Sequence, residues 1–203
     1  PVYNELHDLP KPAEAYGIAG WSKDGDRVVL YDRYDMWVID LTGEKTIYSL
    51  TDGYGRTTNR QFRWLKDDYG DKIIDFENGF LMTSVNLENR DEGIYRFQAN
   101  GKLKKLMEGP YSVTVNQKSV DQKYCIFTRQ SYTEFRDLWW SDLAFTRPVK
   151  ITNTNPQQKN YLWGSVKLVE WTNFEGKRNR GLLYLPDGYD SSKRYPVIVN
   201  FYE

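Results

Sequence analysis

The sequence predicts a mainly β protein, and three observations carry that prediction. Aromatic residues make up 16% of the 203 residues, including 16 Tyr and 7 Trp, and such side chains favour pleated, half-buried strands. Short runs of alternating apolar and polar residues recur along the chain, separated by turn-forming pairs such as Asp24-Gly25 and Asn100-Gly101. A pattern of turn, strand and second strand also repeats, which indicates that one structural unit is used several times.

The repeat has three copies. In the first copy a turn at residues 20–26 precedes one strand pattern at 27–32 and a second at 35–40. The last copy matches the frame Asp-x-Trp-x-x-Asp of the first, at residues 137–142. A weaker middle copy lies at residues 80–102. The pattern therefore predicts antiparallel sheets that follow one another along the chain.

The spacing of the copies predicts a β-propeller. Trp37, Tyr95 and Trp139 occupy the same place in the three copies, 58 and 44 residues apart. The second spacing is close to the ~40–45 residues of a four-stranded propeller blade, and we assign the excess in the first to an insertion around residues 57–69, on a loop. Three blades do not close a ring of about four to eight, so we expect further blades before Pro1. A sandwich of hairpin repeats is the alternative.

The composition changes at residues 153–160, a polar and turn-rich stretch that predicts a linker. Three more strand patterns follow, at residues 165–171, 180–185 and 195–201. The first alternates, and the last is almost continuously apolar, which is typical of a strand covered on both faces. We therefore predict two domains, the C-terminal part of a propeller at residues 1–155 and the truncated start of another domain at residues 156–203.

The second region resembles a known family. Residues 171–176, 181–186 and 193–199 read Trp-Thr-Asn-Phe-Glu-Gly, Gly-Leu-Leu-Tyr-Leu-Pro and Lys-Arg-Tyr-Pro-Val-Ile-Val. They resemble the start of the catalytic domain in the prolyl oligopeptidase (S9) family of serine peptidases, which includes dipeptidyl-peptidase-like members. The turn at residues 21–25 is similar to one in that family's propellers, with Lys23 in place of Pro. The resemblance implies a mainly β chain, with about three blades of a β-propeller followed by the N-terminal β-strands of an α/β-hydrolase domain.

The resemblance implies a serine nucleophile in the frame G-x-S-x-G, followed along the chain by Asp and His. None of this triad is present: the nearest stretch, Gly20 to Asp24, ends on Asp, and His7 is the only histidine. We therefore expect a non-catalytic part of a serine peptidase, whose propeller gates the access of peptides to the active site. A propeller that acts purely as a binding module, without peptidase activity, is the alternative.

Tyr202 is the candidate for an active-site residue. In this family a tyrosine just after the Tyr-Pro strand donates its hydroxyl to the oxyanion hole, where it stabilises charge that develops in the transition state. Glu203 follows here, where the family continues with Gly-Gly-Pro or Ala-Gly-Pro. An ordinary aromatic residue at the end of a strand is the alternative.

The composition limits the classes of binding partner that we expect. The charges balance, with 28 Lys and Arg against 28 Asp and Glu, which argues against a nucleic-acid partner. No apolar run reaches the roughly 18 residues of a membrane helix, so we expect no membrane segment. The resemblance implies a peptide substrate, leaves a homodimer of the parent open, and favours a periplasmic or otherwise exported location.

The remaining side chains predict no further chemistry. Cys125 is the only cysteine and lies in an alternating run, so we predict a buried core residue rather than a disulfide or a metal ligand. We expect no cofactor and no metal. The loop that carries Asn86, Glu88, Asp91 and Glu92 lacks the spacing of a calcium loop, and we interpret it as a polar connection.

Overall fold

The computed structural model describes residues 1–43, 46–66 and 72–201. These residues form a mainly β structure, which confirms the predicted class. The chain divides into two compact units, Pro1–Thr154 and Asn155–Glu203.

The first unit contains three sheets built from strands that are consecutive or nearly consecutive in the chain. The first sheet has five strands, β1 (Ile18–Ser22), β2 (Arg27–Tyr31), β3 (Met36–Asp40), β4 (Ile47–Ser49) and, from later in the chain, β6 (Ile73–Ile74). After the short helix α1 (Tyr54–Thr57), the second sheet consists of β5 (Arg60–Trp64), β7 (Phe80–Asn86), β8 (Glu92–Phe97) and β9 (Leu103–Gly109). The third sheet consists of β10 (Ser112–Lys118), β11 (Tyr124–Gln130), β12 (Asp137–Asp142) and β13 (Val149–Lys150).

The three repeat aromatics lie in equivalent strands, as predicted. Trp37 is in β3, Tyr95 in β8 and Trp139 in β12, each the third strand of an antiparallel four-stranded set. Each of these strands is an inner strand of its sheet. Its side chains point alternately to the two faces of the sheet, where neighbouring sheets can pack. The frame found in the sequence therefore marks one place in a repeated sheet.

Two buried clusters hold the sheets of the first unit together. One cluster joins the first and second sheets and contains Met36, Phe62 and Tyr95. The other joins the second and third sheets and contains Ile94 and Phe127. Successive side chains of a strand point to opposite faces, so the neighbours Ile94 and Tyr95 serve different clusters. The sheets are thus stacked like blades, each contacting the next.

The predicted insertion at residues 57–69 was wrong in its position. Arg60–Trp64 is β5, the first strand of the second sheet, so this stretch is not a loop. The extra residues lie between β5 and β7, where β6 (Ile73–Ile74) pairs in parallel with β1 of the first sheet. Ile74 is buried in the cluster between these sheets, so the extra residues contribute to the core. Residues 67–69 of the predicted insertion lie outside the described residues.

The second unit begins with a 3-10 helix (Pro156–Asn160) and continues as a hairpin of β14 (Ser165–Thr172) and β15 (Arg178–Leu185). The side chain of Asn173 shapes the turn, since its Oδ1 accepts hydrogen bonds from the N–H groups of Glu175 and Lys177. The predicted alternation is confirmed, because Leu168 is opposite Leu182 on one face and Val169 is opposite Gly181 on the other.

The prediction of a strand at residues 195–201 was wrong. These residues form no strand, and the side chains of Val197, Ile198 and Val199 are 75%, 95% and 76% exposed. A strand needs a neighbour to accept and donate its ladder hydrogen bonds, and the described residues supply none for this segment.

Candidate functional site

Among the described residues, no serine, threonine or cysteine side chain is hydrogen-bonded to a histidine. His7 is half-buried, and its Nε2 lies 2.8 Å from the carbonyl oxygen of Lys11. The Ser22 hydroxyl is used inside its turn, where it donates to Asp24 and accepts from the N–H of Arg27 at 2.9 Å. Tyr202 lies outside the described residues, so its proposed role stays a prediction.

Cys125 is a core residue, as predicted. Its side chain is 2% exposed and belongs to the cluster between the second and third sheets. Burial raises the pKa of the thiol to about 11, which keeps it protonated and unreactive near neutral pH. Within the part of the chain that the structure describes, no group of three His, Cys, Asp or Glu side chains could hold a metal ion. The described helices include none long and apolar enough to cross a membrane.

Polar chemistry concentrates at the end of the sheets where the second strand turns into the third. We call this the 2–3 end, and its first component is a carboxylate at the start of the third strand. Asp35 accepts hydrogen bonds from the Thr51 hydroxyl and from the N–H groups of Gly55 and Arg56, at 2.8 and 3.1 Å. It therefore fixes the chain that leaves the fourth strand of the first sheet.

The third sheet repeats this arrangement. Asp137 accepts from the Thr152 hydroxyl at 2.7 Å and the Thr154 N–H at 2.8 Å, and pairs with Lys150 at 2.6 Å. Burial opposes ionisation of Asp137, but these donors outweigh it and hold its pKa well below the ordinary value. The first Asp of the repeated frame thus has one structural role in both sheets.

In the second sheet a different residue fixes the chain that leads to the next sheet. Gly93 stands where the other sheets have Asp, and a Cβ there would lie 2.6 Å from the carbonyl oxygen of Met107. The preceding residue, Glu92, accepts from the Ser112 hydroxyl at 3.0 Å and the Val113 N–H at 2.9 Å. Glu92 therefore belongs to the connection between sheets, and its interpretation as part of a polar loop was incomplete.

A second carboxylate at the 2–3 end anchors an arginine. Asp32 accepts from the Tyr34 N–H at 2.7 Å, the Trp37 indole N–H at 3.1 Å and the Arg56 guanidinium at 3.3 Å. Burial opposes its ionisation, but these hydrogen bonds and that of the Asp35 N–H lower its pKa overall. Arg56 also lies over the Tyr34 ring, 4.8 Å from its centroid, which adds a cation–π contact.

The most enclosed ion pair lies beside Tyr95. Arg60 donates to both carboxylate oxygens of Glu108, at 3.0 and 2.7 Å, and the Tyr95 hydroxyl donates to the same carboxylate at 2.7 Å. The side chains of Arg60 and Glu108 are 17% and 8% exposed. The hydrogen bond from Arg60 lowers the pKa of Glu108, although burial opposes it, and burial raises the pKa of Tyr95.

The third sheet carries the corresponding arginine. Arg129 pairs with Glu134 at 3.0 Å and lies 4.1 Å from the centroid of the Trp139 ring and 5.2 Å from that of Tyr111. At the 2–3 end of each sheet an arginine therefore pairs with a carboxylate that lies beside an aromatic residue.

A cavity of about 470 Å³ opens next to these groups in the first unit. Its lining combines the aromatic rings of Tyr54 and Tyr95 with the polar side chains of Thr51 and Lys105. The described residues that line it include hydroxyl and amine groups but no histidine that could act as their base.

Sequence reasoning identified the repeat but missed the roles of these residues. The frame Asp-x-Trp-x-x-Asp marked Asp35 and Asp137, and a hydroxyl residue 16 or 15 positions later, Thr51 or Thr152, was the signal for their connection. The pair Arg60 and Glu108, separated by 48 residues, left no comparable signal.

Comparison with known proteins gives structural similarity alone. No family profile and no curated protein matches the sequence. Similar solved structures include the AtxE2 isopeptidase, at 16% identity and a TM-score of 0.45, covering 96% of this chain and 34% of that one. A puromycin hydrolase mutant complexed with PGG has 12% identity and a TM-score of 0.47, covering 82% of this chain and 25% of that one.

TolB from Acinetobacter baumannii has 17% identity and a TM-score of 0.42, covering 86% of this chain and 44% of that one. The chain thus spans about a third of the length of the isopeptidase and less than half of the other two structures.

Proposed function

We propose that the chain is the non-catalytic propeller part, with the first hydrolase strands, of a serine peptidase of the prolyl oligopeptidase family. The hairpin β14–β15 carries the proposal. It contains the residues that resemble the start of the catalytic domain, and the turn and the packing of the hairpin explain why glycines stand where they do. The Glu175-Gly176 pair lies in its turn, and Gly176 has φ of 77°. Gly181 lies under the Trp171 ring, where a Cβ would approach to 3.1 Å.

The stacked sheets support the other half of the proposal. Three sheets precede the hairpin, one of five strands and two of four, and they are fixed to one another by buried clusters and by the carboxylates of the 2–3 end. Rigid blades of this kind suit a barrier that admits small peptides and excludes folded proteins. In the intact enzyme the sheets would therefore gate access, while the nucleophile, acid and base come from outside these 203 residues.

A fluorophosphonate probe tests this proposal. The purified 203-residue chain should neither react with the probe nor hydrolyse a peptide, since no hydroxyl or thiol of its described residues is hydrogen-bonded to a histidine. A longer protein that contains the chain should be labelled at one serine outside residues 1–203. Labelling of any serine within the chain would contradict the proposal, and an unlabelled longer protein that binds peptides would favour the binding module.

Tyr202 is proposed as the oxyanion donor of that longer enzyme. Tyr202→Phe keeps the ring and removes the hydroxyl, so kcat should fall by roughly 10²–10³ with little change in KM. Tyr195→Phe is the matched control, because its hydroxyl accepts the Asp190 N–H at 3.1 Å and is assigned no part in the chemistry. Wild-type turnover in Tyr202→Phe would reduce Tyr202 to an aromatic residue at a strand end.

A further inference from the structure

The chain leaves the first unit through a cluster of hydrogen bonds at the 2–3 end. We call this cluster the Asp137 clasp; it consists of Asp137, at the start of β12, and of Lys150, Thr152 and Thr154, in and after β13. Thr154 is the last residue of the first unit, and Asn155 is the first residue of the second. The clasp therefore lies at the point where the chain passes from one unit to the other.

Both carboxylate oxygens of Asp137 take part in the clasp. Oδ1 accepts from the Thr152 hydroxyl at 2.7 Å and from the N–H and the hydroxyl of Thr154 at 2.8 and 3.1 Å. Oδ2 pairs with Lys150 at 2.6 Å, and the Thr152 hydroxyl also accepts the Leu138 N–H at 2.9 Å. Asp137 is only 3% exposed, so these charge-assisted hydrogen bonds are formed largely out of water, where they are strong.

The corresponding carboxylates of the other two sheets hold segments that are also fixed by burial. Asp35 binds Thr51, which is 3% exposed, and Glu92 binds Val113, which is 6% exposed and belongs to an apolar cluster. None of the four residues that follow β13 is buried. Hydrogen bonds rather than apolar contacts therefore hold the chain where it leaves the third sheet.

We infer that Asp137 is a positioning residue for the second unit, because its hold on Thr152 and Thr154 sets where the connection between the units begins. With the clasp closed, the connection to β14 comprises residues 155–164; with the clasp open, it comprises residues 151–164. The span that a linker samples grows with its length, so an open clasp gives the second unit more freedom of motion. This inference does not depend on the proposed peptidase activity.

Hydrogen exchange of the Thr154 amide, measured residue by residue by NMR on the 203-residue chain, tests whether the clasp forms. In the wild type this amide should exchange more than tenfold more slowly than in an unstructured peptide, because its N–H donates to a buried carboxylate. In Asp137→Ala the acceptor is gone, and the protection should be lost. The amides of β11 should stay protected, which shows that the third sheet remains folded.

Relaxation of the backbone ¹⁵N nuclei of β14 and β15 tests the positioning role itself. The apparent rotational correlation time of this hairpin should be shorter in Asp137→Ala than in the wild type, because the connection is longer. Asp137→Asn keeps one carbonyl oxygen as an acceptor and loses the ion pair with Lys150, so both readouts should lie between those of the wild type and Asp137→Ala. The asparagine variant takes the place of the alanine variant if the latter does not fold.

Asp142→Ala is the matched control. Asp142 is the last residue of the same strand, and its carboxylate accepts from the N–H and the hydroxyl of Thr146, at the other end of the sheet. This variant should keep the Thr154 amide protected and leave the relaxation of the hairpin unchanged. The inference is overturned if the Thr154 amide is unprotected in the wild type or equally protected in the Asp137 variants. It is also overturned if the hairpin relaxes alike in all of these proteins, or if Asp142→Ala has the same effect as Asp137→Ala.

Discussion

The first and second units show two ways of holding strands together. In the first unit short strands are stacked face to face, and side chains such as Val29, Phe62 and Met82 are fully buried between the sheets. The hairpin of the second unit has eight paired positions, more than any two strands of the first, yet no described residue from 155 to 201 is buried. Backbone pairing alone contributes little net stability, while burial of apolar area is the main driving force. The units should therefore respond differently to the same kind of substitution.

Removal of a buried ring should give the largest difference. Phe62 is fully buried and contacts the Tyr95 ring edge to face at 5.0 Å. Phe62→Ala should lower the free energy of unfolding of the first unit by about 3–5 kcal/mol, because it removes apolar contacts and leaves a cavity. Urea unfolding followed by tryptophan fluorescence measures the change.

Leu182→Ala is the matched variant in the second unit, where the side chain is 60% exposed. Its effect should stay within about 0.5 kcal/mol, as for surface substitutions generally. If Leu182→Ala destabilised the chain as strongly as Phe62→Ala, the hairpin would have a core that its burial does not show.

We expect the next largest difference between two arginine–carboxylate clusters, one in each unit. Glu108 is buried with Arg60 and Tyr95, whereas Glu170 accepts from Arg178 and Arg180 on the exposed hairpin. Glu108→Gln should lower the free energy of unfolding at pH 7 by about 1.5–3 kcal/mol, since charge-assisted hydrogen bonds are lost in a buried place. Glu170→Gln should change it little, because solvent screens that cluster.

The contribution of Glu108 to the free energy of unfolding should depend on pH in a direction set by its pKa shift. The pKa of folded Glu108 lies below the value of about 4.3 for an unfolded chain, because Arg60 and Tyr95 stabilise the carboxylate against the cost of burial. Its contribution is therefore present above pH 4.3 and is lost as the pH falls through the lower, folded pKa. Urea unfolding from pH 7 to pH 3 should show wild type and Glu108→Gln converging in acid. A difference between them that did not change with pH would indicate packing rather than charge.

These comparisons also show what the sequence could predict. Spacing was enough to place Trp37, Tyr95 and Trp139 in equivalent strands, because each copy of the repeat folds from residues close together in the chain. The parallel pairing of β6 with β1 was not predictable, because two residues carry no periodicity and their partner lies some 50 positions earlier. The pairing of Arg60 with Glu108 was not predictable for a similar reason, because β5 and β9 are the two edge strands of the second sheet and are separated by β7 and β8.

The error at residues 195–201 has a different cause. The apolar run does have strand propensity, but a strand also requires a neighbour, and propensity does not say where that neighbour comes from. The side chain of Glu92 was misread for a related reason, since its partners Ser112 and Val113 belong to the next sheet. Local sequence patterns thus predicted strands and turns, whereas the roles of the polar side chains depended on contacts between strands and sheets.

The smallest difference should come from adding one methyl group to a glycine in each unit. At Gly93 an added Cβ would lie 2.6 Å from the Met107 carbonyl oxygen and 2.9 Å from the Ser84 hydroxyl, in a place where the backbone is held between the neighbouring strands β7 and β9. Gly93→Ala should therefore lower the free energy of unfolding by about 1–3 kcal/mol, the usual cost of overpacking.

At Gly181 the added Cβ would meet only the Trp171 ring, at 3.1 and 3.2 Å, and that ring is 48% exposed and free to shift toward solvent. Gly181→Ala should therefore leave global unfolding unchanged and alter only the environment of Trp171. Hydrogen exchange of the β15 amides should accelerate by less than about fivefold, corresponding to less than 1 kcal/mol. If exchange accelerated by a hundredfold, Trp171 would be held in place by more than the hairpin, and the second unit would have a packed side that its exposure does not reveal.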